Sequence, residues 1–181
     1  MTNYQKMILE RLSNSDNWPW FSNSEFLGEL EEVANDMFNK WTLEWYLASF
    51  LIYIQLSEEM IKVILESYYF YLQCTIFPNE IKIPEYKKLT FWQLISELDK
   101  IMITDWILEL INECKKLNEN RNKIIHKITK KSNLKTIEDI TKKWKEHFEK
   151  IYEIFENEYD MYRLSFKDEK KYIDEKEELI E

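Results

Sequence analysis

The stretch from Trp41 to Phe77, WTLEWYLASFLIYIQLSEEMIKVILESYYFYLQCTIF, contains neither glycine nor proline. Its first part, Trp45 to Ile54, is apolar on nearly every side of a helix. From Ser57 onward the apolar residues recur at helical spacing and face a row of charged residues. The pattern predicts one long helix, with room for a kink near Ser57, whose first part is buried centrally or lies against a partner chain.

The rest of the chain is also poor in glycine. Gly28 is the only glycine among 181 residues. Tight hairpins and phosphate-binding loops need glycine, so the composition excludes a P-loop, a dinucleotide-binding loop and a nucleophile elbow. We predict an all-α protein, an antiparallel bundle of four to five helices with an extra N-terminal helix. A single domain is expected over residues 1–165, followed by a loosely held, charged tail over 166–181.

Local signals place the helix boundaries. Three capping patterns predict helix starts, at Ser22–Glu25, Thr90–Gln93 and Thr136–Asp139. The first helix is expected to run to about Phe38 and the last to at least Leu164. Between them we predict a helix from Asp105 to Leu117, a polar break at Asn118–Asn120 and a separate short helix from Arg121 to Ile128.

Several classes of protein are disfavoured by counting. Cys74 and Cys114 show no C-x-x-C spacing, which is typical of reduced thiols. The apolar stretches are shorter than the roughly 20 residues of a membrane span, and no secretory signal opens the chain, so we expect a cytoplasmic protein. His126 and His147 are too few for a zinc site built on imidazoles. We expect no metal and no cofactor, and we expect His147 to lie on a solvated helix face.

The charge is unevenly distributed. The chain carries a formal net charge of −9. The segment from Lys115 to Lys150 contains twelve basic and five acidic residues, so its net charge is +7 and that of the rest of the chain is −16. A local basic zone in an acidic protein suits a site that holds one or two phosphates. The alternative interpretation is an ordinary lysine-rich surface exposed to solvent.

Within this zone lies the sequence RNKIIH, from Arg121 to His126. A guanidinium suits phosphate oxygens, and an imidazole can take or give the proton of a ribose 2′-hydroxyl. An amide, here Asn122, can orient either group. RNA cleavage by internal attack of the 2′-oxygen requires these three kinds of group and no metal. On a helix Asn122 and His126 share a face, whereas Arg121 is about 140° from His126. Contact with Arg121 would require a helix start at that residue or a second chain.

The segment resembles the R-x(4–6)-H motif of HEPN domains, in which Asn, Asp or His typically follows the arginine. Leu89–Ile95 and the helix ending at Lys115–Leu117 also resemble the family's approach to its motif. The resemblance covers about residues 40–160. It implies a HEPN-like helical bundle that forms a homodimer, with arginines and histidines of both copies in a cleft at the interface. It also implies a metal-independent endoribonuclease of toxin–antitoxin, abortive-infection or CRISPR-linked systems.

The resemblance assigns roles to residues of this chain. His126 would be the general base or acid, Arg121 the phosphate clamp and Asn122 the orienting residue. Glu58 or Glu59 would be a supporting acid from the long helix. The basic residues expected to contact RNA phosphates are Lys116, Lys123, Lys127, Lys130 and Lys131. Ile128 stands where some family toxins carry a tyrosine modified by an antitoxin, so that form of control is not expected.

The expected partners are tRNA or mRNA, a second copy of the chain, and an antitoxin or another defence-system protein. Two alternatives to the nuclease remain open at this point. One is a non-catalytic HEPN fold that binds RNA or a nucleotide, or serves as an assembly subunit. The other is a helical adaptor in which Arg121 and His126 merely cap a helix and pair with carboxylates.

Overall fold

The computed structural model describes residues 1–101, 104–129 and 134–178, without the side chains of residues 125–129, 134, 136–138 and 175–178. Over these ranges the chain is all-α, as predicted, and has no strand. None of the described helices combines the length and the apolar character needed to cross a bilayer. The helices are α1 (Asn3–Ser13), α2 (Ser24–Phe38), α3 (Leu43–Thr75), α4 (Phe91–Lys100), α5 (Asp105–Thr129) and α6 (Leu134–Glu178), with short 3₁₀ turns at Ser15–Asn17 and Tyr86–Lys88.

The long central helix is confirmed as α3, which continues through Ser57. The Ser57 hydroxyl donates to the Tyr53 carbonyl at 2.8 Å within the helix. The apolar first part of α3 is divided between core and surface. Tyr46, Phe50 and Tyr53 are buried, whereas Leu51 is 66% exposed. One face of this stretch therefore anchors the core, and the other remains available on the surface of the single chain.

Helices α3 and α6 form the centre of the bundle and run in the same direction. Near their beginnings, Tyr53 stacks on Phe148 with ring centroids 4.5 Å apart. Near their ends, Phe70 packs on Phe166 at 4.9 Å. Because residue numbers rise together along both helices, α3 and α6 are parallel. Helix α2 packs antiparallel on α3, since the contacting residue numbers fall along one helix as they rise along the other.

Helix α5 packs antiparallel on α6. Glu113 of α5 contacts His147 of α6, and Thr104, just before α5, contacts Glu158 farther along α6. The Thr104 hydroxyl also accepts the Ile107 N–H at 3.1 Å, which caps the start of α5. The C-terminal end of α5 and the N-terminal ends of α3 and α6 therefore lie at the same end of the bundle.

The predicted polar break within α5 is wrong. The helix runs without interruption from Asp105 to Thr129, through Asn118–Asn120. Asparagine in a helix interior costs at most about 0.7 kcal/mol relative to alanine. Burial of Leu117 and Ile124, seven residues apart on the same face, stabilises the helix by roughly 1.5–3 kcal/mol each. Packing on both sides of the polar triplet outweighs its weak local preference.

Two of the three predicted capping patterns behave differently from expectation. The box at Thr90 is confirmed, with the Thr90 N–H donating to the Gln93 side chain at 2.9 Å. Ser22 does not cap α2, because the helix begins at Ser24 with Asn23 as its N-cap and without a side-chain cap bond. The last helix begins at Leu134, so Thr136 lies inside α6 rather than at its start.

The expectation of a loose chain beyond Phe166 is wrong for residues 166–174. Helix α6 continues to Glu178, and both Phe166 and Ile173 are buried. They form a second, smaller core with Ile8 and Leu12 of α1. Trp18 joins it, packing edge-on against Phe166 at 5.4 Å. Helix α1 precedes the first helix expected from the sequence, which is α2, and it supplies the apolar surface that packs on the end of α6.

Candidate functional site

Arg121 and Asn122 lie in the last third of α5, within a continuous helix. The alternative in which a helix begins at Arg121 is therefore excluded. Positions 121 and 126 are five residues apart along uninterrupted helix, which places them about 140° apart around the axis. Asn122 and position 126 are one turn apart on the same face. Within one chain, positions 121 and 126 therefore lie on different faces of α5.

Arg121 and Asn122 line a groove between the start of α4 and the C-terminal half of α5. Its volume is about 460 Å³, within the usual range of small-ligand sites. The lining residues are Trp92, Lys115, Asn118, Glu119, Arg121 and Asn122. The groove thus combines an aromatic ring, amides and cations with a single carboxylate.

Two of the charged residues in the groove have partners. Lys115 Nζ is 3.7 Å from Asp99 Oδ1. Glu119 Oε2 is 3.7 Å from Lys123 Nζ, so its negative charge is partly offset. Within the described part of the chain, the Arg121 guanidinium has no carboxylate within ion-pairing distance. Arg121 is therefore the cation of the groove best placed to receive an external anion.

The structure describes the remaining predicted site residues to different extents. His126 and Lys127 lie on α5, with His126 one turn beyond Asn122, but their side chains are outside the described residues. Lys130 and Lys131 lie outside the described ranges altogether. Lys116 and Lys123 are described, and both form ion pairs within the chain. Part of the basic zone is thus balanced by neighbouring acids.

The structure does not bring Glu58 or Glu59 to Arg121 within one chain. Both carboxylates hold Lys62, at 3.0 and 2.9 Å. Tyr53 lies level with Phe148 on α6, and Glu113 lies level with His147. At about 1.5 Å of rise per residue, Glu58 and Arg121 are then roughly 20 Å apart along the bundle axis. Any support of the Arg121 site by these acids would have to come from a second copy.

Sequence reasoning missed a buried carboxylate that joins α5 to α6. Glu113 is buried, and its two oxygens accept from Lys116 Nζ at 2.6 Å and from His147 Nδ1 at 2.7 Å. Burial raises the pKa of Glu113, but the hydrogen bonds from Lys116 and His147 outweigh it and leave the pKa below its ordinary value. His147 is therefore not a freely solvated histidine. The available signal was an acid placed between Leu110 and Leu117 on an apolar stripe.

Other chemically active groups in the described residues are not gathered into a comparable site. Cys74 and Cys114 are free and buried, and burial raises the pKa of the Cys74 thiol to about 12. Such thiols are poor nucleophiles at neutral pH. Over the ranges with described side chains, no cluster of three or more His, Cys, Asp or Glu residues is arranged to hold a metal ion.

In the described residues, the protein is a helical bundle with a polar groove at one end. Comparison of the chain with models of known families, with curated proteins and with solved structures gave no match.

Proposed function

We propose that the protein is a metal-independent endoribonuclease of the HEPN type, working at a composite site between two copies of the chain. The observation that carries the proposal is the placement of Arg121 and Asn122 in the α4–α5 groove, with position 126 one helical turn beyond Asn122. The HEPN-like motif supplies the reaction, and the groove supplies a place for its substrate.

In the proposed reaction His126 removes the proton of a ribose 2′-hydroxyl. The 2′-oxygen then attacks the adjacent phosphorus, and the bond from phosphorus to the 5′-oxygen of the next nucleotide breaks. That oxygen takes up a proton, from a histidine acting as general acid or from water. The products are a 2′,3′-cyclic phosphate and a 5′-hydroxyl. Arg121 stabilises the charge on the phosphate oxygens, and Asn122 orients the imidazole or the phosphate.

The second copy is part of the proposal because α5 is continuous. In a symmetric dimer, Arg121 of one copy can meet His126 of the other although the two residues diverge within one chain. The exposed side of α3 offers a surface for such a contact. Leu51 and Trp45 are exposed there, at the end of the bundle that carries Arg121. Burial of this apolar surface would favour association.

The same proposal gives the protein a cellular role as a growth-arresting toxin or antiphage effector, in the cytoplasm. The substrate would be tRNA or mRNA, and an antitoxin or another defence-system protein would restrain or trigger the activity. The net charge of −9 is consistent with a protein that binds RNA through one local site rather than through its whole surface.

The proposal is tested with purified protein and labelled tRNA or mRNA in EDTA. We expect cleavage to persist in EDTA and to leave a 2′,3′-cyclic phosphate. His126→Ala and Arg121→Ala are each expected to lower the cleavage rate at least 100-fold, because general acid–base catalysis and charge stabilisation each contribute about 10²–10⁴ and 10²–10³. Asn120→Ala is the matched control, since Asn120 is near Asn122 on α5 but outside the groove.

Equal cleavage by wild type and His126→Ala would overturn the site assignment. Loss of all activity in EDTA that returns with a divalent cation would overturn the metal-independent mechanism. RNA binding without cleavage would instead support the non-catalytic alternative. A protein that stays monomeric at micromolar concentration would contradict the composite site even with active cleavage.

A further inference from the structure

The groove is lined by one aromatic side chain, Trp92, which does not belong to the Arg121–His126 motif. We infer that Trp92 is a stacking platform for one base of a single-stranded RNA, which positions the adjoining phosphate on Arg121. The inference takes its ligand class from the proposed function, but it concerns a residue that the motif does not include. It assigns the α4–α5 groove as the nucleotide-binding subsite.

The position of Trp92 on α4 explains why a large aromatic side chain stays uncovered. Phe91, Leu94 and Ile95 are buried and fix the helix on the core. Trp92 lies at the edge of that buried face and lines the groove, and 56% of it is exposed. The Thr90 capping box holds the first turn of α4, so the indole stands on a fixed support. An indole presented in this way can stack on any base, because every base has a π-face.

The rest of the groove matches the other parts of a nucleotide. Arg121 offers a forked donor for phosphate oxygens. Asn118 is largely buried and lines the same groove, and its amide carries both donors and an acceptor suited to a base edge. With Glu119 partly offset by Lys123, the groove favours an anion. The groove of about 460 Å³ therefore offers a stacking ring, an amide and a hydrogen-bond donor for phosphate. These groups suit a nucleotide better than an apolar peptide.

The test separates the base from the phosphate by using two ligands. One is a fluorescently labelled 2′-fluoro RNA hexamer, which lacks the attacking hydroxyl and is not cleaved by this chemistry. The other is a labelled hexamer of abasic 2′-deoxyribose phosphates, which lacks both the bases and the attacking hydroxyl. We expect Trp92→Ala to weaken binding of the first roughly tenfold, the loss of one base stack, and to leave the second unchanged. Trp92→Phe, which keeps an aromatic ring, is expected to recover most of the affinity.

Two further variants complete the measurement by fluorescence anisotropy. Arg121→Ala is expected to weaken both ligands, because both carry phosphates. Trp106→Ala is the matched control, since Trp106 is 49% exposed and stands fifteen residues before Arg121, roughly 22 Å along α5. Circular dichroism of each variant checks that the helices are intact.

Unchanged affinity of Trp92→Ala for the base-bearing hexamer would overturn the inference. So would an equal loss on both hexamers, or no measurable binding by wild type. Because neither ligand is cleaved, the result is independent of catalysis. Trp92-dependent binding in a protein that cleaves no RNA would support the subsite while removing the proposed nuclease. RNA cleavage without Trp92 dependence would do the reverse.

Discussion

At the scale of single residues, Glu113 shows how a buried charge is tolerated in this core. Both of its oxygens accept hydrogen bonds, from Lys116 on its own helix and from His147 on α6. A buried carboxylate without such donors would carry a large desolvation penalty. The hydrogen bond between Glu113 and His147 therefore fixes the rotation of α5 against α6, and with it the direction in which Arg121 points.

We expect Glu113→Gln to destabilise the protein by about 1–3 kcal/mol at pH 7, because the Lys116 ammonium and the His147 N–H lose a charged acceptor. The folded-state pKa of Glu113 is depressed, so its contribution is complete above the ordinary carboxyl pKa and is lost as pH falls through the folded value. The difference in free energy of unfolding between wild type and variant should therefore become smaller as the pH falls from 5.5 to 3. Urea unfolding at several pH values measures this difference.

The matched control is Glu109→Gln, one turn earlier on the exposed side of α5. Such a surface change is expected to stay within about 0.5 kcal/mol of wild type. A Glu113→Gln protein as stable as wild type, or a gap that widens in acid, would contradict the role given to Glu113.

At the scale of elements, local patterns predicted the helices that carry strong signals and failed where packing overrides them. The long glycine-free stretch predicted α3 close to its observed bounds, and the Thr90 box predicted the start of α4. The polar triplet at Asn118–Asn120 looks like a loop in isolation, yet Leu117 and Ile124 hold it in a helix. The break expected from the local residue types does not form, because apolar residues on both sides of the triplet are buried in the core.

The end of α6 gives a direct test of this reasoning. Phe166→Ala is expected to cost about 3–5 kcal/mol, the range for a fully buried phenylalanine. Phe26→Ala on α2 is the matched control, because Phe26 is exposed and should change stability little. Chemical unfolding monitored by circular dichroism gives both values. Equal stability of the two variants would mean that residues beyond 165 do not belong to the core.

At the scale of the whole molecule, the directions of the helices decide which groups meet. Helices α3 and α6 run parallel, and α5 returns against α6, so the Arg121 groove and the exposed Leu51 surface lie at one end. Glu58 and Glu59 lie farther along α3, where they hold Lys62. A single copy thus carries Arg121 and His126 on divergent faces of α5, and symmetry is the means proposed here to unite them.

Mixing two inactive variants tests this arrangement. Arg121→Ala and His126→Ala proteins, co-refolded in equal amounts, should recover about a quarter of wild-type RNA cleavage. Half of the dimers are then mixed, and each mixed dimer has one intact site of two. The heterodimer fraction is measured with two affinity tags. Heterodimers that form without any recovery would contradict a site that pairs one Arg121 with one His126.

The sequence by itself determined the helical class, the central helix and the chemistry available near residue 121. These follow from the scarcity of glycine, the period of the apolar residues and the types of side chain present, all of which are local properties. Only the tertiary structure decided that α5 is unbroken, that Glu113 meets His147, that Trp92 and Arg121 line one groove and that α1 covers the end of α6. Each of these depends on packing between segments distant in the chain, where burial outweighs local preference.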